Sequence, residues 1–305
     1  MPSNASIRKV ITDQIIKAIE NGVKPWRRPW TVSPNAGRPV NLVSRERYKG
    51  INPLLLEMHR LEHGFSSRWY GTYQQWERLH CQVMKRPDHV EKGRWAARIV
   101  FYRPVTKTVV DPATGDEKED QFFVMRTYTV FSADQVNGAE ALRVKEDESQ
   151  PVPDFEPAEE LIAATGADIR HQGDRAYYRL PEPYDDWPWH KDGDFILLPP
   201  KHRFESVGSY YETAFHELAH WSEVRFGWVA SYAMNELVAE MASSFVSTEL
   251  GIPQVESVEN HASYIKSWLE GMKGDSSFIF KASTQASKVA DHLLSFVQKQ
   301  SAKVA

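Results

Sequence analysis

The sequence predicts an α+β protein of two consecutive units, and three observations carry that expectation. Helix-like and strand-like patterns both occur along the chain. Charge divides it: residues 1–110 hold 20 Lys and Arg against 8 Asp and Glu, and the remainder holds 17 against 33. A basic first third joined to an acidic remainder suggests units that face different partners. Finally, KEDESQPVPDFEP, Lys145 to Pro157, is acidic and rich in proline, as linkers are. The expected division is therefore 1–145, a linker over 146–157, and 158–305.

In the first unit, SIRKVITDQIIKAIENG reads as an opening helix. Ser6 is the expected cap, Val10, Ile11, Ile15 and Ile19 form the apolar stripe, and Gly22 is the stop. VKPWRRPWTVSPNAGRP has too much proline for regular structure and reads as an ordered loop. INPLLLEMHRLEHG and GTYQQWERL read as helices. ARIVFYRPV and QFFVMRTYTVFS are β-branched and aromatic, and read as strands around an exposed loop, DPATGDEKED. In the second unit PAEELIAATG begins a helix. AYYRL and DFILLPP read as a strand pair, with a connector, PEPYDDWPWHKDG, longer than a hairpin needs. A long helix around FHELAH follows, then one around ASYAMNELVAEMASSFVSTELG. Two more close the chain, NHASYIKSWLEGM and TQASKVADHLLSFVQK.

Bulk properties exclude several classes. A hydrophobic content of 41% with 12% aromatic residues fits a packed protein and not a disordered one. No run of about 18 apolar residues exists, so no membrane partner is expected. The N-terminus lacks the apolar core of a secretion signal. The single cysteine, Cys81, cannot form an internal disulfide, which suits a reducing cytosol.

The stretch FHELAHWSE carries the chemistry. On a helix His216 and His220 project as neighbours, able to meet one cation. Zinc suits two imidazoles plus a carboxylate, with a fourth position left to water. Glu217, next to this pair, can take a proton from that water; this is the H-E-x-x-H arrangement of zinc peptidases. The following helix offers NELVAE, in which Glu236 and Glu240 lie one turn apart. This resembles the second helix of zinc peptidases of the thermolysin and anthrax-lethal-factor kind. The resemblance assigns Glu236 to the metal and Glu240 to a supporting bond that orients His216 or His220 through its other ring nitrogen. Tyr232, and the pair Tyr210 and Tyr211, are candidates for stabilising an oxyanion. DFILLP is the expected edge strand for an extended peptide. His190 and His202 are surplus.

The first unit interleaves bases and rings. KPWRRPW sets Trp26 and Trp30 around Arg27 and Arg28, and Arg38, Arg45, Arg47, Tyr48, Lys49, Trp69, Tyr70, Tyr73, Trp76, Arg94 and Trp95 follow. Flat rings for unpaired bases beside cations for phosphates suit single-stranded nucleic acid. Of these, Trp26, Arg27, Arg28, Trp30, Arg45, Tyr48 and Lys49 are the expected DNA contacts.

Taken together, the motifs resemble ArdC-type plasmid antirestriction proteins over nearly the whole chain. IENGVKPWRRPW, RYKGINPLLL, WYGTYQQW and VFSADQVNG resemble the family's N-terminal domain. ATGADI, DFILLPP, FESVGSYYETAFHELAHWS and NELVAEMASSF resemble its zincin-like metallopeptidase domain. The resemblance implies a single-stranded-DNA-binding unit and a metallopeptidase with His216, His220 and Glu236 on the metal and Glu217 as catalytic glutamate. It implies a cytoplasmic role in shielding plasmid DNA from restriction during conjugation, with host restriction proteins as the conceivable peptide substrates. The rival expectation is a DNA-coating protein whose metal site is structural or vestigial.

Overall fold

Helix α1 (Asn4–Glu20) opens the chain and is capped by Ser3, whose hydroxyl accepts from the Ser6 amide at 3.1 Å. Ser6, the expected cap, lies inside the first turn and donates its hydroxyl to the Ser3 carbonyl. A cap needs extended backbone, and Ser3 has it, with ψ 158. The buried face is Ile7, Ile11, Ile15, Ile16 and Ile19; Val10 falls on the other side and is exposed. The computed structural model describes residues 3–26, 35, 37–110, 117–144, 155–180, 193–252 and 261–304. Arg27, Arg28, Trp30, His190, most of the expected linker and the connector at 181–192 lie outside them.

The first unit continues with β1 (Val40–Asn41), α2 (Asn52–His63), β2 (Trp69–Gly71), α3 (Tyr73–Arg78) and β3 (Gln82–Val83). Gly64, in the left-handed region at φ 67, ends α2. Thr72 and Gln75 form a capping box that starts α3. Then come the long hairpin strands β4 (Ala97–Val110) and β5 (Glu117–Ser132), followed by β6 (Val136–Asn137). Strands β1-β2-β5-β4 make one sheet and β3-β6 a small second one. β5 begins at Glu117, so the end of the stretch expected as an exposed loop pairs with β4 instead.

The second unit holds α4 (Glu156–Thr165), β7 (Asp168–His171), β8 (Tyr177–Arg179), β9 (Phe195–Leu198), α5 (Val207–Arg225), α6 (Tyr232–Leu250), α7 (His261–Gly274) and α8 (Phe278–Val304). β9 is the central strand of the sheet β7-β9-β8, and all four of its residues are buried. DFILLP is therefore not the edge expected from the sequence. β7 displaces it to the centre by pairing in parallel along its other side. The edge beside α5 belongs to β8.

The two units share one hydrophobic core. Ile7 to Ile19 of α1, Trp26, Ile51, Leu54, Val100 and Met125 belong to the same cluster as Leu161, Phe215, Leu237, Val246, Trp268 and Leu293. α1 packs on α7, and the Thr12 hydroxyl donates to the Ser276 carbonyl at 2.9 Å. α4 starts at Glu156, two residues inside the stretch expected as linker, and Phe155 stacks on Tyr211 at 5.2 Å.

His59 of α2 makes the fold sensitive to acid. Its ring nitrogens lie 3.4 Å from the Tyr70 hydroxyl and 3.2 Å from the Trp95 carbonyl. Burial pushes the imidazole down to about 4. The unfolded chain binds this proton near the ordinary 6.5, so the contribution of neutral His59 is present above that value. It is lost as pH falls from there towards 4. Between pH 7 and pH 5 the wild type should lose about 2 kcal/mol more unfolding free energy in urea than His59→Gln. Equal losses would show that His59 charges as freely in the fold as out of it.

Candidate metal centre

α5 and α6 bring the site together. Ser206 and Ser209 cap α5 reciprocally. Tyr210, Tyr211, Ala214, Phe215, Leu218 and Trp221 bury most of that helix, which leaves the His216–His220 face turned to a cleft. α6 is buried on nearly every side from Glu236 to Ser247, as a central helix must be. Two α-helices pack closely enough here for Glu236 to reach across.

The ligand atoms of His216, His220 and Glu236 all lie within 4.8 Å of one another. The two Nε2 atoms are 3.2 Å apart. Glu236 Oε2 is 3.5 Å from His216 Nε2, and Oε1 is 3.7 Å from His220 Nε2. Ligands bound tetrahedrally at about 2.0–2.1 Å stand roughly 3.3 Å from each other, so the three side chains fit one zinc-sized cation. Two imidazole nitrogens turned towards each other and a carboxylate form the donor set of such a centre.

Supporting groups surround the three. His220 Nδ1 is 3.2 Å from Glu223 Oε2, a bond that fixes the ring and leaves Nε2 for the metal. Glu240, the support expected from the sequence, lies 3.8 Å from Lys24 of the first unit, and its charge acts on His216. Glu223, three residues beyond His220 on the same helix, was the residue that sequence reasoning missed; the i, i+3 spacing was the available signal. Burial pulls the His216 imidazole down, but its bond to Glu236 and the charges of Glu217, Glu236 and Glu240 reverse this, to about 9. Burial pushes the Glu236 carboxyl up, and the two histidines bring it net below the usual range.

Glu217 faces the same cleft without joining the three. Burial pushes its carboxyl up against the pull of both histidines, and the Tyr178 backbone N–H donates to it. The outer edge of β8 thus faces Glu217. Tyr178 holds β8 in place by donating its hydroxyl to Asp194 at 2.8 Å, and Arg225 of α5 pairs with Asp194 at 2.8 Å. The cleft measures about 1110 Å³ and is lined by Tyr177, Tyr178, Thr213, Trp228, Tyr232 and Tyr264 among others. Tyr232 stands exposed at its rim, with its hydroxyl 2.9 Å from that of Tyr264 and bonded towards Glu236. Tyr210 and Tyr211 are buried instead, facing His171 and Glu159, so they leave the candidate set. His202 sits in an exposed turn before α5.

The expected DNA contacts divide. Trp26 is 2% exposed and meets Trp268 edge-on at 5.9 Å; no base can stack on it. Tyr48 is buried with Leu56 and Tyr70, and its hydroxyl accepts from Asn41. Arg45 is exposed, in the left-handed region at φ 61, with its guanidinium 4.9 Å from the Trp69 ring centre. Lys49 is exposed and 3.8 Å from Asp291. Arg45 and Lys49 line a basic cavity of about 550 Å³ with Arg47, Arg68 and Trp69.

The profile of the N-terminal domain of anti-restriction factor ArdC matches residues 5–131, and that of a zincin-like metallopeptidase matches residues 156–285. The fold superposes on the crystal structure of the antirestriction protein ArdC from plasmid R388 in its metal-free form. The TM-score is 0.71 at 33% identity, over 96% of this chain and 98% of that one. The chain belongs to the ArdC antirestriction family. The Mn(II)-bound structure of the same R388 protein matches with a TM-score of 0.68 at 32% identity, over 95% of this chain and 97% of that one. An uncharacterised Sinorhizobium fredii protein, y4eC, is 33% identical over 92% of this chain and 89% of its own length. Two Escherichia coli proteins named DNA primase TraC are 32% and 34% identical over 98% and 95% of this chain, which spans 20% and 27% of their lengths. The family therefore joins an ArdC N-terminal domain to a zincin-like domain of a kind that takes a divalent metal. Among the described residues no helix is long and apolar enough to cross a membrane.

Proposed function

We propose that this chain is a cytoplasmic antirestriction protein that binds single-stranded DNA through its first unit and hydrolyses peptide bonds through its second, protecting plasmid DNA during conjugation. The observation that carries the hydrolytic part is the convergence of His216, His220 and Glu236 from two helices onto one point of an open cleft, with Glu217 beside it. His216, His220 and Glu236 would hold a divalent ion, zinc by the donor set, which would supply Lewis acidity to a carbonyl and to water at neutral pH. Glu217 accepts the proton from the attacking water and passes it to the leaving amine. Its burial, which raises its proton affinity, suits both halves of that task. Glu223 holds the His220 ring in place. Tyr232 donates its hydroxyl to the oxyanion at the cleft rim. An extended peptide adds as a strand to the outer edge of β8, which places its carbonyls before Glu217. Host restriction subunits are the proposed substrates, and DNA bound by the first unit holds the hydrolase near them.

The test is metal content. Purified protein should carry one equivalent of a divalent metal, and His216→Ala and Glu236→Ala should carry none. Glu223→Gln should keep one equivalent with affinity lower by about 10–100-fold. A full equivalent in the His216→Ala and Glu236→Ala proteins would place the ion elsewhere and remove the hydrolytic reading.

A further inference from the structure

The long hairpin of the first unit carries a face that the core does not use. In register, Ala97 lies opposite Val130, Ile99 opposite Tyr128, Phe101 opposite Arg126 and Arg103 opposite Val124. Side chains two apart on a strand share a face, so these eight residues form one surface. Its root is buried: Ala97 and Val130 pack with Tyr48, Leu56 and Tyr70, and Ile99 leans on them. Beyond Ile99 the cover ends. Phe101 is 56% exposed and Tyr128 44%, and their rings meet edge-on at 6.3 Å. Arg103 and Arg126 are exposed, and among the described residues neither guanidinium has a hydrogen-bond or ion-pair partner. The opposite face is engaged differently: Val100 and Met125 enter the core, and Asn4 of α1 bonds the β5 backbone at Phe123 and Met125.

We propose that this face, Phe101 and Tyr128 with Arg103 and Arg126, is a stacking platform for the unpaired bases of single-stranded DNA. The inference rests on reading the first unit as a single-strand binder and says where the strand lies. Large exposed rings on a sheet cost free energy in water unless something covers them. The occupant follows from charge: over Ala97 to Arg103 and Val124 to Val130 the face sets rings beside guanidiniums and holds no acidic residue. Same-face neighbours along a strand lie about 7 Å apart, so each ring has a cation one step away along its strand or directly across the ladder. A base stacks on the ring while its phosphate meets the guanidinium, and the ring accepts any base. Duplex DNA hides its base faces and could use only the arginines. This face also replaces Trp26 and Tyr48, whose rings are in the core.

The experiment uses the full chain and measures anisotropy of a fluorescein-labelled oligothymidylate of about 20 nucleotides. A hairpin duplex of matched charge serves as the second probe. Phe101→Ala and Tyr128→Ala should each weaken single-strand binding about tenfold and leave duplex binding within twofold. Phe101→Trp should bind as well as the wild type or better. Arg103→Gln with Arg126→Gln should flatten the slope of log affinity against log salt by about 1.4. Melting temperatures of the variants report that these exposed substitutions leave the fold intact. Wild-type single-strand affinity in the ring variants would overturn the platform and leave the single-strand reading standing. Equal losses on both probes would overturn base stacking. A wild type that binds no single strand would overturn the platform together with the reading beneath it.

Discussion

Glu217→Gln should abolish peptide hydrolysis, lowering kcat/KM by about 10³-fold, while bound metal stays at one equivalent and single-strand affinity is unchanged. The reasoning is geometric. Glu217 lines the cleft beside the three ligands but is not one of them, so its loss does not empty the centre. Glutamine keeps the volume and still accepts from the Tyr178 N–H, so β8 keeps its place. What it removes is a carboxylate whose proton affinity burial has raised above the ordinary value. Hydrolysis by Glu217→Gln at the wild-type rate would exclude Glu217 as the base. A second readout separates the biological alternatives. If the variant is inactive yet still protects a transferred plasmid fully, protection comes from coating the DNA, not from cleavage. If protection falls with cleavage, the two are one function.

The grouping of His216, His220 and Glu236 was legible because most of its geometry is local. Two histidines four apart on an apolar helix are neighbours whatever surrounds them, and Glu236 lay on the next helix. Glu223, which holds the His220 ring, was not picked out although it stood in the same nine-residue stretch: resemblance to other zinc peptidases drew attention to Glu240 alone. The other misses are tertiary. Trp26 and Tyr48 sit among arginines in sequence, and nothing local tells a ring on the surface from one packed under α7 or α2. β7 has a charged or polar residue at three of its four positions, DIRH, so it carries no strand signal. Without it β9 looked like an edge. The hairpin strands were legible as strands, but not which face the rest of the chain leaves open, since that depends on where α1 and α2 dock.

Arg38 and Arg47 show the same limit, and lead to the largest effect expected on stability. In sequence they belong to a basic cluster; in the fold they converge on Glu249, near the end of α6. Arg38 Nε is 3.2 Å from its Oε1, Arg47 Nε is 3.0 Å away, and Arg68 reaches it at 3.3 Å. Arg38, itself almost wholly buried, also meets Asp291 of α8 at 2.6 Å. One carboxylate of the second unit thus anchors three guanidiniums of the first. Burial pushes the Glu249 carboxyl up, but Arg38, Arg68 and Arg47 more than reverse that and hold it below the usual range. Its contribution is therefore complete at neutral pH and is lost only as pH falls through that depressed value. Glu249→Ala leaves three cations around a buried gap and should cost about 3–5 kcal/mol in urea unfolding. Asp13→Ala, which breaks the exposed Lys9–Asp13 pair, should cost less than about 0.5 kcal/mol. Glu249→Gln should recover only part of the loss, because a neutral amide offers one acceptor oxygen where the carboxylate offers two. A cost below about 1 kcal/mol for Glu249→Ala would mean that water or Asp291 takes over the guanidiniums.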